Sequence, residues 1–174
     1  ILEKTHADIS STTDADTVLK HPDIDCVIIS ANPNSNFHLA EKALENGKHV
    51  LVEKPVSTSY EKTQHLKQLA DSKSLCLMAD LTFLYNGAVR KIKEIIEDGQ
   101  LGNLLYFDST RINLCTFQND INVLWDMGIH DISIMNYLLD AKPVQCSAHG
   151  KSHYMKGIEN LAYLHMEYPG DVIA

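Results

Sequence analysis

Two places in this chain combine residue types and spacing that suit chemistry: Lys54 in Glu53-Lys54-Pro55, and the Asp126/His130 pair in Asp126-Met-Gly-Ile-His130-Asp131. Lys54 follows the apolar stretch His49-Val-Leu-Val52, which puts its amine at the carboxyl end of an expected parallel strand. That edge is where open α/β sheets bind ligands. A lysine half shielded there can hydrogen-bond a substrate hydroxyl or take its proton, while a solvated amine paired with Glu53 is the alternative; spacing alone leaves the two even. Pro55 keeps Lys54 extended, and the bond between them is a candidate for the cis form. Asp126 and His130 are four residues apart, so a helix sets them on one face about a turn apart, where a carboxylate can orient an imidazole acting as general base. A surface pair in which Asp126 only helps cap the helix is the alternative. No Ser or Cys in any motif completes a nucleophilic triad. Asp131 adds an oxygen beside His130, which would suit a metal-dependent hydrolase, but a lone His-Asp step is a weak metal signal and no metal is expected.

Polar residues elsewhere extend these two sites. Asn32-Pro-Asn-Ser-Asn-Phe-His38 follows the first strong strand and suits contact with a ribose or diphosphate, or simply turns and helix caps. His38 either faces a ligand or caps local backbone. Arg111 and Asn113 end an expected strand where a sugar hydroxyl or phosphate can approach, and Tyr85 and Asn86 sit on the preceding loop; surface hydrogen bonding is the alternative for all four.

The elements that must carry these residues are readable from periodicity. A short strand is expected over Ala7 to Ser11 and a helix over Asp14 to Lys20, capped by Thr12 or Thr13. Strand Cys26 to Ser30, helix Ser35 to Asn46 and the strand before Lys54 make one βαβ unit, with Gly47 stopping the helix. A helix from Ser57 or Thr58 to Asp71, with Glu61 in its first turn, and a strand Leu75 to Ala79 follow. The strand cores are continuous and partly β-branched, which predicts a parallel sheet with helices on both faces. Ala88 to Glu97 reads as a helix, and Gly99 and Gly102 as a hinge into a second unit. That unit has strand Leu104 to Arg111, helix Val123 to Leu139, and strands Val144 to Gly150 and Leu161 to Tyr168. The expected organisation is two domains, 1–101 and 102–174: a partial Rossmann-like parallel sheet, then part of an α/β domain with an open, mainly antiparallel sheet.

Composition narrows the partners. A formal charge of -8 in 174 residues gives no basic field for a phosphate backbone, so nucleic acid is not expected. No run reaches the roughly 18 apolar residues of a membrane span, and no secretory signal opens the chain, so a cytoplasmic protein is expected. Cys26, Cys76, Cys115 and Cys146 lack metal-site spacing and read as reduced thiols.

Taken in order, Asp25-Cys-Val-Ile-Ile-Ser-Ala-Asn-Pro33, Ala43-Leu-Glu-Asn-Gly-Lys-His-Val-Leu-Val-Glu-Lys-Pro55, Leu101-Gly-Asn-Leu-Leu-Tyr106 and Asp126-Met-Gly-Ile-His130 resemble the Gfo/Idh/MocA family of NAD(P)-dependent oxidoreductases. The resemblance covers nearly the whole chain and implies a nucleotide-binding domain joined to an α/β domain often used for oligomer contacts. It implies hydride transfer between a sugar or nucleotide-sugar carbon and NAD or NADP, with Lys54 near nicotinamide and substrate, Asp126 positioning substrate and His130 as acid/base. Asn32, Pro33, His38, Glu53 and Pro55 would line the cofactor side with Lys54. Leu81 to Asn86, Asp108 to Arg111 with Asn113-Leu114, and Asn122 to Asp126 look most like members acting on nucleotide-linked amino sugars or related sugars. Asn32 departs from the family's usual threonine before the proline. No Gly-x-Gly-x-x-Gly fingerprint is present, so about 50 to 60 residues carrying it are expected before Ile1, and the second sheet is expected to be completed beyond Ala174. This polypeptide alone is then expected to be unstable or inactive. The rival class is a non-catalytic regulatory or assembly protein that keeps the family fold.

Overall fold

The computed structural model describes residues 9–112 and 119–174; Asn113 and Cys115 lie outside them. Of the strand expected over residues 7–11, residues 9–11 are described and form none. The described chain divides into two compact units, at 80/81 rather than at 101/102.

In the first unit, Asp14 rather than Thr12 or Thr13 opens α1 (Ala15–Leu19), its side chain accepting from Asp16 N at 3.0 Å. Strand β1 (Cys26–Ile29) leads to α2 (Pro33–Glu45), where Asn32 Oδ1 accepts from Ser35 N at 2.9 Å. Pro33 occupies the first turn of this helix, where its missing N–H leaves no bond unmade. Gly47, at φ 77°, then turns the chain into β2 (His49–Glu53), a conformation that favours a residue without Cβ. Ser59, not Ser57 or Thr58, caps α3 (Tyr60–Ser72): its Oγ accepts from Lys62 N at 3.2 Å and donates to Glu61 at 2.7 Å. The unit closes with β3 (Leu77–Asp80).

The three strands run parallel in the order β1-β2-β3, with Val27 opposite Val50 and Val50 opposite Leu77. Helices α2 and α3 pack together, and Leu44, Ala40, Ala43, Leu66 and Ala70 close over Val27, Ile29, Val50 and Val52. Among the described residues, α2 and α3 supply the helical cover of this sheet. Burial alternates along β1, and Ile28 on the opposite face is 75% exposed. Continuous apolar composition specified the strands but not what covers each side.

The second unit begins with a 3₁₀ turn (Thr82–Tyr85) and α4 (Gly87–Glu97). Helix α4 packs against α5 (Ile129–Leu139), which is why it belongs here rather than with the first sheet. A π-helical turn (Leu124–Gly128) runs directly into α5, with Ile129 N donating to Leu124 O, so the single helix expected over Val123 to Leu139 is present but widened at its start. Gly128 suits this crowded turn, because an added Cβ would lie 3.1 Å from Leu124 Cδ2. Strands β4 (Gln145–Lys151), β5 (Leu161–Tyr168) and β6 (Val172–Ile173) form an antiparallel sheet in that order.

The strand expected over Leu104 to Arg111 is not a strand. Tyr106 makes a single bridge to Ile173, and Phe107 N donates to Ile173 O at 2.9 Å. The alternation does not hold either: Leu104 and Phe107, on opposite faces of the expected strand, pack on one core, while Leu105 and Tyr106 are both exposed, and a strand also needs a partner edge along its length. Behind β5 and β6, Met135, Met166, Tyr168 and Val172 make the core, joined by Leu104, Phe107 and Ile132. Tyr168 OH donates to Asn136 Oδ1 at 2.8 Å, which satisfies a hydroxyl that burial would otherwise leave costly.

Candidate functional site

In the first unit the candidate residues gather at the carboxyl ends of β1 and β2. The Lys54–Pro55 peptide is cis. Lys54 is half-buried, its backbone N–H donates to Glu53 Oε2 at 3.1 Å, and Pro55 is fully buried. Asn32 caps α2 from the neighbouring strand end. His38 is exposed on α2, with its ring edge-on to Phe37 at a centroid distance of 5.1 Å.

The residue that joins these loops was not among the sequence candidates. Asn36 is fully buried, donates from Nδ2 to Glu53 O at 3.1 Å and Pro55 O at 3.2 Å, and accepts at Oδ1 from Ala31 N at 3.3 Å. A fully buried amide has to be satisfied, and here its partners flank Lys54. The one sequence signal for it was position: Asn36 falls on the inward face of α2 with Phe37, Ala40, Ala43 and Leu44.

In the second unit His130 stands in the first turn of α5, only 9% exposed, with its ring 4.8 Å from that of Phe83 at an interplanar angle of 60°. Phe83 also carries the Arg111 guanidinium, whose Cζ lies 4.9 Å from the ring centroid. Arg111 is held by the carboxylate next to His130: Nε donates to Asp131 Oδ2 at 2.7 Å and Nη2 to Oδ1 at 3.0 Å, while Ser109 Oγ donates to the same Oδ1 at 2.8 Å. Asp126 lies in the π-helical turn, and the helix start is capped by Asn122, whose Oδ1 accepts from Leu124 N and Trp125 N. The capping role weighed for Asp126 therefore belongs to Asn122.

The structure thus brings Arg111 and His130 onto one aromatic ring. Asn86, read as a substrate contact, uses its Oδ1 to accept from Ala88 N at 2.8 Å and cap α4, while Tyr85 is exposed under the Arg90 guanidinium. A cleft of about 420 Å³ within this unit is lined by Ser109, Arg111, Asp131, Leu124, Met127 and Tyr163, among others, and His130 is not one of its lining residues. Among the described residues no group of three His, Cys, Asp or Glu side chains is placed to hold a metal ion. No helix among them is long and apolar enough to cross a membrane.

The Asp131 environment sets a pH dependence. Burial pulls its carboxyl pKa upward, but hydrogen bonds from Arg111 and Ser109 and the nearby positive charge outweigh this and hold it below its ordinary value of 3.8. The stabilisation is therefore complete above that ordinary value and is lost as pH falls through the lower folded value. Asp131→Asn is expected to flatten the acid limb of a plot of Tm against pH and to cost on the order of 1 kcal/mol at neutral pH, since the pair is partly exposed. An unchanged acid limb would remove Asp131 as its source.

A parallel sheet whose strand ends carry a lysine loop, followed by an α/β unit with a buried histidine, defines a two-part α/β chain of dinucleotide-binding type. Residues 3–81 match the family model described as "Oxidoreductase family, NAD-binding Rossmann fold", and residues 89–174 match that of the GFO/IDH/MocA C-terminal domain. The chain belongs to the Gfo/Idh/MocA oxidoreductase family. Similar proteins include dTDP-3,4-didehydro-2,6-dideoxy-alpha-D-glucose 3-reductase of Saccharopolyspora spinosa, 37% identical over 52% of this chain and 27% of the relative. Another is the scyllo-inositol 2-dehydrogenase (NAD(+)) of Bacillus subtilis, 28% identical over 77% of this chain and 41% of the relative. A crystal structure of a putative oxidoreductase from Klebsiella pneumoniae superposes with a TM-score of 0.81 at 25% identity, covering 99% of this chain and 49% of that one. The chain thus spans less than half the length of each of these relatives.

Proposed function

We propose that the protein containing this chain transfers a hydride between the hydroxyl-bearing carbon of a sugar or nucleotide sugar and a nicotinamide cofactor. The observation that carries the reading is the Glu53-Lys54-Pro55 loop, fixed at the carboxyl end of a parallel strand in a chain of this family. The two relatives that act on a dTDP-sugar and on an inositol support the substrate class. The strand-end loops, with backbone amides, the Glu53 carboxylate and the Lys54 ammonium, have the donor and acceptor chemistry that suits ribose hydroxyls and a carboxamide. Asn32, Pro33, Glu53, Lys54 and Pro55 are the residues we assign to that side, with His38 as an outer contact.

When bound, the nicotinamide supplies the hydride acceptor or donor. Lys54 hydrogen-bonds the reacting hydroxyl oxygen through Nζ. In the oxidation direction His130 accepts the hydroxyl proton, since imidazole is the side chain whose ordinary pKa is nearest neutral pH. Asp126 orients substrate and imidazole. Tyr85, Asn86, Arg111 and Asn113 are assigned to the substrate side, with Arg111 preset by Asp131. We assign assembly into homo-oligomers to the second unit, whose open sheet face carries exposed Leu161 and Tyr163. A reducing, cytoplasmic setting agrees with free thiols at Cys26, Cys76 and Cys146.

The test is binding of NAD(H) and NADP(H) to the full-length protein, followed by hydride-transfer assays with scyllo-inositol and dTDP-sugars. Binding of at least one nucleotide is expected, with a substrate KM between about 1 μM and 1 mM. A folded protein that binds neither nucleotide would favour the non-catalytic assembly role.

A further inference from the structure

We infer that Asn36 is a positioning residue for Lys54, its side-chain amide fixing the backbone on both sides of the lysine; this rests on the proposed role of Lys54 at the reacting hydroxyl. Asn36 is 0% exposed and lies on the inward face of α2, where an apolar side chain would otherwise be expected. Its two amide protons go to two carbonyls of one loop, Glu53 O at 3.1 Å and Pro55 O at 3.2 Å, the residues immediately before and after Lys54. Its carbonyl oxygen accepts from Ala31 N at 3.3 Å, so the same side chain ties the end of β1 to the end of β2.

The chemistry of the side chain is specific to this task. Aspartate retains an acceptor for Ala31 N but has no protons for the two carbonyls, leucine keeps the branching but is bulkier and has neither function, and glutamine adds a methylene to a packed site. A lysine amine reaches its target through a long flexible stem, so its effective concentration at a reacting hydroxyl depends on where the stem is rooted. Fixing the carbonyls on both sides of Lys54 fixes that root. Loss of such positioning by about 1 Å is the kind of change that lowers rates by about a hundredfold without touching the reacting atoms.

The experiment compares Lys54→Ala, Asn36→Leu, Asn36→Asp and the double variant Lys54→Ala/Asn36→Leu in the full-length protein, assayed with the nicotinamide nucleotide it binds and whichever of scyllo-inositol or a dTDP-sugar it turns over. Folding is verified for each by circular dichroism. Asn36→Leu is expected to lower kcat about 10- to 100-fold with little change in KM, and amide hydrogen exchange is expected to rise over residues 53–56 while Val50 and Val52 stay protected. If Asn36 works through Lys54, the double variant will be no slower than Lys54→Ala alone. A residue that only supported the fold would instead lower stability and leave kcat of the folded enzyme unmoved. Should Asn36→Leu fail to fold, Asn36→Asp carries the same comparison. Wild-type kcat in the folded Asn36 variants, with Lys54→Ala inactive, overturns the assignment while leaving the role of Lys54 intact. Unchanged turnover in Lys54→Ala overturns the reading of Lys54 itself, and the assignment of Asn36 with it.

Discussion

His130→Ala in the full-length enzyme is expected to lower kcat by about 10²- to 10⁴-fold, the range supplied by a positioned general acid or base. KM for the sugar should change little, since an interaction made chiefly in the transition state is lost from kcat and kcat/KM together. His130 is almost fully buried against Phe83, next to the carboxylate that holds Arg111. The substitution therefore also removes a packed ring, and His130→Asn serves as the control because it keeps polarity and much of the volume without a group that titrates near neutral pH. Steady-state kinetics across pH decide the matter: the wild type should show a limb in the pH profile of kcat near neutrality, and both variants should lose it. Retention of that limb in a folded His130→Asn enzyme would pass the proton-transfer role to another group, with Lys54 the first to test.

Leu44→Ala is expected to destabilise the chain's first unit by roughly 2–5 kcal/mol. Leu44 is fully buried on α2, between the face of the parallel sheet and α3, among Ala40, Ala43, Leu66, Val50 and Val52. Three of its neighbours, Ala40, Ala43 and Ala70, are alanines that cannot extend into the space left behind, so the cavity term should add to the lost burial. Urea denaturation followed by far-UV circular dichroism measures the change. A cost below about 1 kcal/mol would mean that α2 shifts to close the gap. Because α2 also carries Asn36 and is capped by Asn32, such a shift would appear as altered hydrogen exchange in the Lys54 loop.

Much of this architecture was legible because its determinants are local. The repeat of strand, helix and glycine-terminated return specified the βαβ pattern, and helix limits came within a few residues because capping uses side chains next to the helix they start. Where the limits moved, an equivalent acceptor close by took the role: Asp14 in place of Thr12 or Thr13, and Ser59 in place of Ser57 or Thr58. Leu104 to Arg111 shows the opposite case. Its alternation is that of a strand, yet pairing depends on a distant edge, and contact with that edge is confined to Leu105, Tyr106 and Phe107 at Ile173.

The polar residues divide on the same principle. Asn32, Asn34 and Asn36 are one residue type within five positions, and the sequence pointed to Asn32 and His38 for the cofactor side while passing over Asn36. Their differences come from partners far along the chain: Asn36 meets carbonyls 17 and 19 residues away, whereas Asn32 meets an amide three residues on. Arg111 likewise looked open to a substrate until α5 placed Asp131, 20 residues later, against its guanidinium. By itself the sequence determined the family, the parallel and antiparallel halves and the place of Lys54 at a strand end, because these follow from short-range pattern and residue order. Only the tertiary structure decided that a buried asparagine clamps the Lys54 loop and that Arg111 is already paired, because each depends on which distant groups burial brings within hydrogen-bonding or packing distance.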